Sequence, residues 1–244
     1  MPIKKNKQNL LLRSKALFTP WNLLILIILV LAFFLRIYRI GDFLDFHYDQ
    51  GRDAMVIWKL WHESKLFLIG PVTGLDGIFL GPFYYYLIAP FYLLGQGNPV
   101  FPSIFLSFLV TSGLFVLYKT GELLIDKRMG LIALTVAAFS NYFVFSGRWL
   151  SNPTPIYLSS ILIFYLMAKI VKTESLKVKN YWWYLVYFLV GVSMHFELAS
   201  AVFYLPVLFI FTLWQKIKIN LKRLLISCML LLSTFLPLII FRIL

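Results

Sequence analysis

Apolar runs, several close to the roughly 20 residues needed to cross a bilayer core, alternate along this chain with short loops in which lysine and arginine collect. This alternation constrains the fold more than any other feature. Backbone in hydrocarbon must satisfy its own hydrogen bonds, so such runs are read as helices. Composition agrees: 61% of the 244 residues are hydrophobic and 14% are charged. The mean hydropathy is +0.83, higher than soluble domains ordinarily reach. The reading is an all-α polytopic membrane protein of about seven transmembrane helices. They are expected at residues 20–39, 99–118, 129–147, 154–171, 181–196, 198–214 and 224–241.

The formal charge of +13 would suggest a nucleic-acid partner in a soluble protein. Here it follows from the enrichment of cytoplasmic loops in lysine and arginine, and no nucleic-acid partner is expected. Four basic clusters are assigned to the inner side: Lys4 to Lys15, Lys119 to Arg128, Lys169 to Lys179, and Lys216 to Arg223. The first run has no small-residue cleavage site and is longer than a signal core, so it is read as a retained anchor. Residues 1–19 then form a cytoplasmic basic N-terminus. Residues 20–244 form one transmembrane domain of the cell membrane, whose first outer loop is 41–98. The single cysteine, Cys228, has no partner in the chain and reads as a packing residue.

Parity decides between two competing apolar stretches. The first span ends outside and Lys119 lies inside, so the chain crosses an odd number of times between them. Residues 81–95 are interrupted by Pro82 and Pro90 and rich in tyrosine. They are therefore read as an interfacial or re-entrant helix. Residues 50–66 mix polar groups with Met55, Val56, Trp58 and Trp61, which suits a helix lying on the membrane surface.

Most acidic residues then fall outside, among them Asp42, Asp45, Asp49, Asp53, Asp76 and Glu197. The densest constellation is HYDQGRDAM, residues 47–55, with Asp49, Arg52 and Asp53 together. An acidic pair at a membrane surface needs partners to offset desolvation. Asp49 suits either a helix cap or a catalytic base. The aromatic run Phe79, Phe83, Tyr84, Tyr85 and Tyr86 suits a groove for a sugar or isoprenoid, or an interfacial belt. Arg148 and Asn152 lie in the second outer loop, where Arg148 suits a phosphate clamp. His195 and Glu197 occupy the third outer turn. Arg36 and Arg39, at the outer end of the first span, suit snorkelling or a bound phosphate. No metal-ligand cluster and no cofactor motif is visible.

These residues carry a resemblance. FFLRIYRIG, YDQGRDA, GIFLGPFYYYLIAPFYLLG, LLIDKRMGLIAL and SGRWLSNP, in that order, resemble the GT-C membrane glycosyltransferases of the family 39 type. That group includes protein mannosyltransferases and the aminoarabinose transferase of lipid A. The resemblance implies transfer of a sugar, with inversion, from a polyprenyl-phosphate-sugar donor at the outer membrane face. It implies that Asp49 is the base and that interfacial helices follow it. Arg52, Asp53, Tyr84, Tyr85, Arg148, Asn152, His195 and Glu197 are the candidate substrate-binding residues. The chain departs from the pattern in having Gln50 after Asp49, Asn152 where many members place a second acid, and no lysine in the Gly-Pro-Tyr stretch. Members are about twice this length, so the resemblance implies an N-terminal portion.

Two other functions compete: a non-catalytic or truncated membrane subunit, and a lipid or solute transporter. Transport sites gather charge near the bilayer midplane, whereas this chain gathers its polar set at one surface.

Overall fold

Thr19 opens the first helix. Its hydroxyl accepts the Asn22 N–H at 3.2 Å, and Pro20 takes the first helical position, where a missing N–H costs little. The computed structural model describes residues 19–75, 77–218 and 220–243, without the side chains of 176–179. The N-terminal basic cluster, Asp76 and the side chains of Lys177 and Lys179 lie outside that description.

Among the described residues the chain forms helices α1 (Pro20–Ile37), α2 (Tyr48–His62), α3 (Phe83–Leu94), α4 (Val100–Leu124), α5 (Lys127–Phe139) and α6 (Asn141–Ser146). These are followed by α7 (Ile156–Lys172), α8 (Leu176–Phe196), α9 (Leu198–Ala201), α10 (Tyr204–Trp214), α11 (Leu221–Ser233) and α12 (Leu236–Ile243). The described extended pairing is a single antiparallel bridge, Val72 to Phe79.

Helix α4 is the hub, with α1, α3, α5 and α7 packed against it, while α8 takes α3, α7 and α11. Asp126 caps α5 by accepting the Met129 N–H at 2.8 Å. There α4 and α5 cross at glycines: a Cβ on Gly121 would stand 2.7 Å from the Gly130 Cα. Small residues at such crossings let helix backbones approach. Buried Ile28, Ala32, Leu114 and Leu134 tie α1 to α4 and α5. Leu166, Trp183, Val186 and Leu208 join α7, α8 and α10. Ile57, Tyr84, Ile88 and Leu106 join α2, α3 and α4, with Leu150 and Phe196 completing that core.

Large apolar side chains also point outward along α1, α10 and α11; Phe209, for instance, is 64% exposed. A surface of that kind suits lipid rather than water.

The expected count of seven spans is not confirmed among the described residues. Helices α1 and α4 are long and apolar enough to cross a membrane, and a third span counts if α11 and α12, bent by 59°, are one. The expected span at 129–147 breaks at Ser140, whose extended backbone ends α5. The run at 198–214 breaks into α9 and α10, and α3 has twelve residues. Pro237 stands at the start of α12, where its ring and missing N–H favour a break over a continued helix. The surface helix starts at Tyr48 and stops at Glu63, because Ser64 enters the left-handed region at φ 53°.

Arg36 lies beside the break at Ser140. It is fully buried, and no carboxylate partner is described for it. Its Nη1 donates to Ala32 O at 2.7 Å and Ala138 O at 3.4 Å, and its Nη2 to Phe143 O at 3.4 Å. The guanidinium thus takes a carbonyl from the end of α5 and one from α6. Snorkelling, one of two alternatives expected for Arg36, does not occur. Arg39 pairs instead with Asp42 at 2.7 Å.

Candidate functional site

The start of α2 is fixed by Gln50. Its Oε1 accepts the His47 N–H at 2.9 Å, closing the helix entry, and its Nε2 donates to Leu150 O at 3.1 Å. His47 is therefore the N-cap residue, and Asp49, one of two roles expected for it being the cap, lies in the first turn instead. Negative charge is favoured there by the helix dipole.

Asp49 is 67% exposed in its side chain and pairs with Arg52 Nη1 at 2.9 Å. Arg52 turns its other face to Asp53, with Nη2 at 2.8 Å and Nε at 3.0 Å from Oδ1. The same oxygen accepts the Tyr85 hydroxyl at 2.9 Å. Asp53 is buried. Burial pushes its carboxyl above the usual range, against the pull of Arg52 and Tyr85. Burial also works to lower Arg52, but the hydrogen bond and charge of Asp53, with Tyr85 and Asp49, hold its pKa above the ordinary value. The result is a ladder from interior to surface: Tyr85, Asp53, Arg52, Asp49.

The loop at residues 146–155 connects three ends of the bundle. Arg148 Nη2 donates to Tyr38 O at 2.8 Å, beyond the end of α1, and its guanidinium lies 5.2 Å from the Phe43 ring centre. Leu150 O receives Gln50 from α2. Asn152 Nδ2 donates to Phe196 O, the last residue of α8, at 2.6 Å. Glu197 caps α9 through the Ala199 N–H at 3.3 Å.

Beside Phe196 lies a cavity of about 660 Å³, bounded by α3, α7, α8 and the bend between α11 and α12. Phe83, Tyr86, Leu158, Phe188, His195 and Pro237 are among its walls. His195 is buried against the Thr234 backbone, and neither ring nitrogen makes a well-aligned hydrogen bond among the described residues. The ring is held by close approach: a Cβ on Gly81 would stand 2.0 Å from its Nδ1.

The structure thus brings Asp49, Arg52 and Asp53 together, and joins their helix to the loop of Arg148 and Asn152. His195 faces the cavity. Asp49 and Arg148 are not among that cavity's walls. The aromatic residues divide differently from expectation. Tyr84 and Tyr85 are buried toward the core, where Tyr85 serves Asp53. Phe83 and Tyr86, one turn apart, face the cavity. The Tyr86 hydroxyl also donates to Phe67 O at 2.9 Å. The i, i+3 spacing of Phe83 and Tyr86 was the available signal for the cavity wall.

The family model for dolichyl-phosphate-mannose-protein mannosyltransferases matches residues 80–241. No curated protein matches the chain, and no solved structure does. The chain belongs to the dolichyl-phosphate-mannose-protein mannosyltransferase family. It is thereby a membrane glycosyltransferase of the mannosyltransferase kind, whose family uses a lipid-linked sugar donor. The match begins at residue 80, so the carboxylates of α2 precede the matched segment.

Proposed function

We propose that the chain moves a sugar from a polyprenyl-phosphate-sugar to an acceptor at the outer membrane face, inverting the anomeric centre, with Asp49 as base. The observation that carries this reading is the position of Asp49. It is an exposed carboxylate on a helix that is bonded to the loop of Arg148 and Asn152, which in turn is bonded to the wall of an apolar cavity.

In this reading the acceptor hydroxyl approaches Asp49, which takes its proton as the oxygen attacks the anomeric carbon. The bond from that carbon to the phosphate oxygen breaks, and the departing phosphate carries the charge away. Arg52 is committed to two carboxylates, so its task is to hold Asp49 in position. Arg148 spends one nitrogen on Tyr38 O and retains further donors for the phosphate. The cavity of about 660 Å³ lies within the ordinary range for ligand sites, roughly 300–1,000 Å³, and would hold isoprene units of the donor. Phe83 and Tyr86 would line that tail site. The seven-span arrangement with the basic loops inside belongs to the same reading, and would place both the cavity and Asp49 outside.

The test is transfer from labelled polyprenyl-phosphate sugars in membranes containing the chain, compared with Asp49→Asn at equal insertion. A general base contributes about 10²–10⁴-fold, and a loss of that order is expected. Wild-type transfer by Asp49→Asn would remove Asp49 from the base role.

A further inference from the structure

We propose that the opposite end of the bundle carries a binding site for an anionic phospholipid, with the phosphate held by Lys216, Lys218 and Arg223. A pocket of about 320 Å³ opens there between the end of α7, the start of α8 and the turn into α11. Helix α8 runs from Trp183 in this pocket to His195 in the larger cavity. Twelve residues at the helical rise separate them by roughly 18 Å. The two sites are distinct, and this one does not depend on the sugar-transfer reading.

The pocket has two chemistries. One side presents Lys216, Lys218 and Arg223, and no carboxylate is among its walls. None of these three cations forms an ion pair among the described residues. Arg223 is preset: its Nη1 donates to Lys218 O at 2.9 Å, and its Nε is buried with no partner among the described residues. An unsatisfied buried guanidinium donor is costly until an acceptor arrives. The turn is held open by Lys216, whose backbone is left-handed at φ 49°.

The other side is apolar, formed by Val171, Trp183 and Ile217. A free phosphate ion would gain nothing from that wall. A phospholipid satisfies both sides, its headgroup on the cations and its first acyl segment against Trp183. Basic pockets between transmembrane helices are known to take anionic headgroups in this way.

The experiment uses the full chain purified in detergent, titrated with phosphatidylglycerol and followed by native mass spectrometry. Phosphatidylcholine and inorganic phosphate serve as the other probes. The test variant is Lys216→Gln with Lys218→Gln, because both side chains are exposed and neither makes a described hydrogen bond, so the fold is expected to persist. Lys222→Gln, exposed on α11 and not among the pocket walls, is the surface-charge control, removing one cation where the test variant removes two.

Each lysine near an anionic lipid contributes roughly fivefold in affinity, so the double variant is expected to bind phosphatidylglycerol about 30-fold more weakly. Phosphatidylcholine binding should not change, and inorganic phosphate should not displace the lipid. Unchanged phosphatidylglycerol affinity in the double variant would overturn the proposal. So would an equal loss in Lys222→Gln, which would indicate general surface charge. Displacement by millimolar phosphate would overturn the lipid assignment.

Discussion

Gln50 donates to the carbonyl of Leu150, a residue one hundred positions further along the chain, across 3.1 Å. With its oxygen closing the entry to α2 at His47, the same amide both starts the helix and seats it on the loop of Leu150. Both functions need an amide, because one end must accept and the other must donate. Gln50→Glu keeps the acceptor for His47 but turns a carboxylate toward the Leu150 carbonyl. A loss of about 1–2 kcal/mol is expected at neutral pH, read as a lower unfolding midpoint in detergent. Gln50→Ala, which removes both bonds, should lose at least as much.

Asp53 gives a pH prediction with a defined sign. Its pKa is raised by burial above the ordinary carboxylate value, so the folded state holds the proton more tightly than the unfolded state. Wild-type stability is then greatest below the unfolded pKa and falls as pH rises through the folded pKa. Asp53→Asn lacks this titration. The stability difference, wild type minus Asp53→Asn, should shrink as pH rises across that window, measured by denaturant unfolding at a series of pH values. At neutral pH the substitution should still destabilise, since it leaves the largely buried Arg52 with only the exposed Asp49 as a charged partner. Sugar transfer should also fall, because Arg52 would lose the carboxylate that holds it toward Asp49.

Gly81 is required by the ring beside it. Gly81→Ala would put a Cβ 2.0 Å from His195 Nδ1, and overpacking of this kind costs about 1–3 kcal/mol. His195→Ala removes the ring and should make the alanine tolerable. A double-mutant cycle on unfolding midpoints should therefore give a coupling of the same order. Additive effects would separate the two positions.

Val192 lines the cavity from α8. Val192→Trp would fill part of the space assigned to the lipid tail. The expected outcome is a KM for a long-chain polyprenyl-phosphate sugar raised about tenfold, with kcat little changed, as for loss of uniform binding. A fall in kcat with unchanged KM would move the tail elsewhere.

Much of this organisation was legible in the residues. The unbroken apolar runs of α1 and α4 were visible because nothing within them interrupts the period or the hydropathy. The helix from Tyr48 and the short helix after Pro82 were visible from amphipathic spacing and proline. Asp49, Arg52 and Asp53 were singled out as a cluster, and they do meet. The breaks at Ser140 and near Thr234 were not legible, because the hydropathy of the run continues through them. The carbonyls on either side of the Ser140 break are taken by Arg36, about a hundred residues earlier in the chain. Nor could the sequence sort four consecutive aromatic residues between core and cavity. Phe83, Tyr84, Tyr85 and Tyr86 are alike in being aromatic, and their division depends on Asp53 below and His195 above.

Arg36 has a mechanical consequence. By gripping Ala138 and Phe143 it rivets the first helix to the corner from which the loop of Arg148 and Asn152 springs, and Arg148 returns to Tyr38 to close the loop. A tilt of the first helix in a thinner or thicker bilayer would therefore be transmitted as a rigid lever stroke to the loop that seats Asp49. Bilayer thickness would act on the spacing between Asp49 and the apolar cavity without touching either.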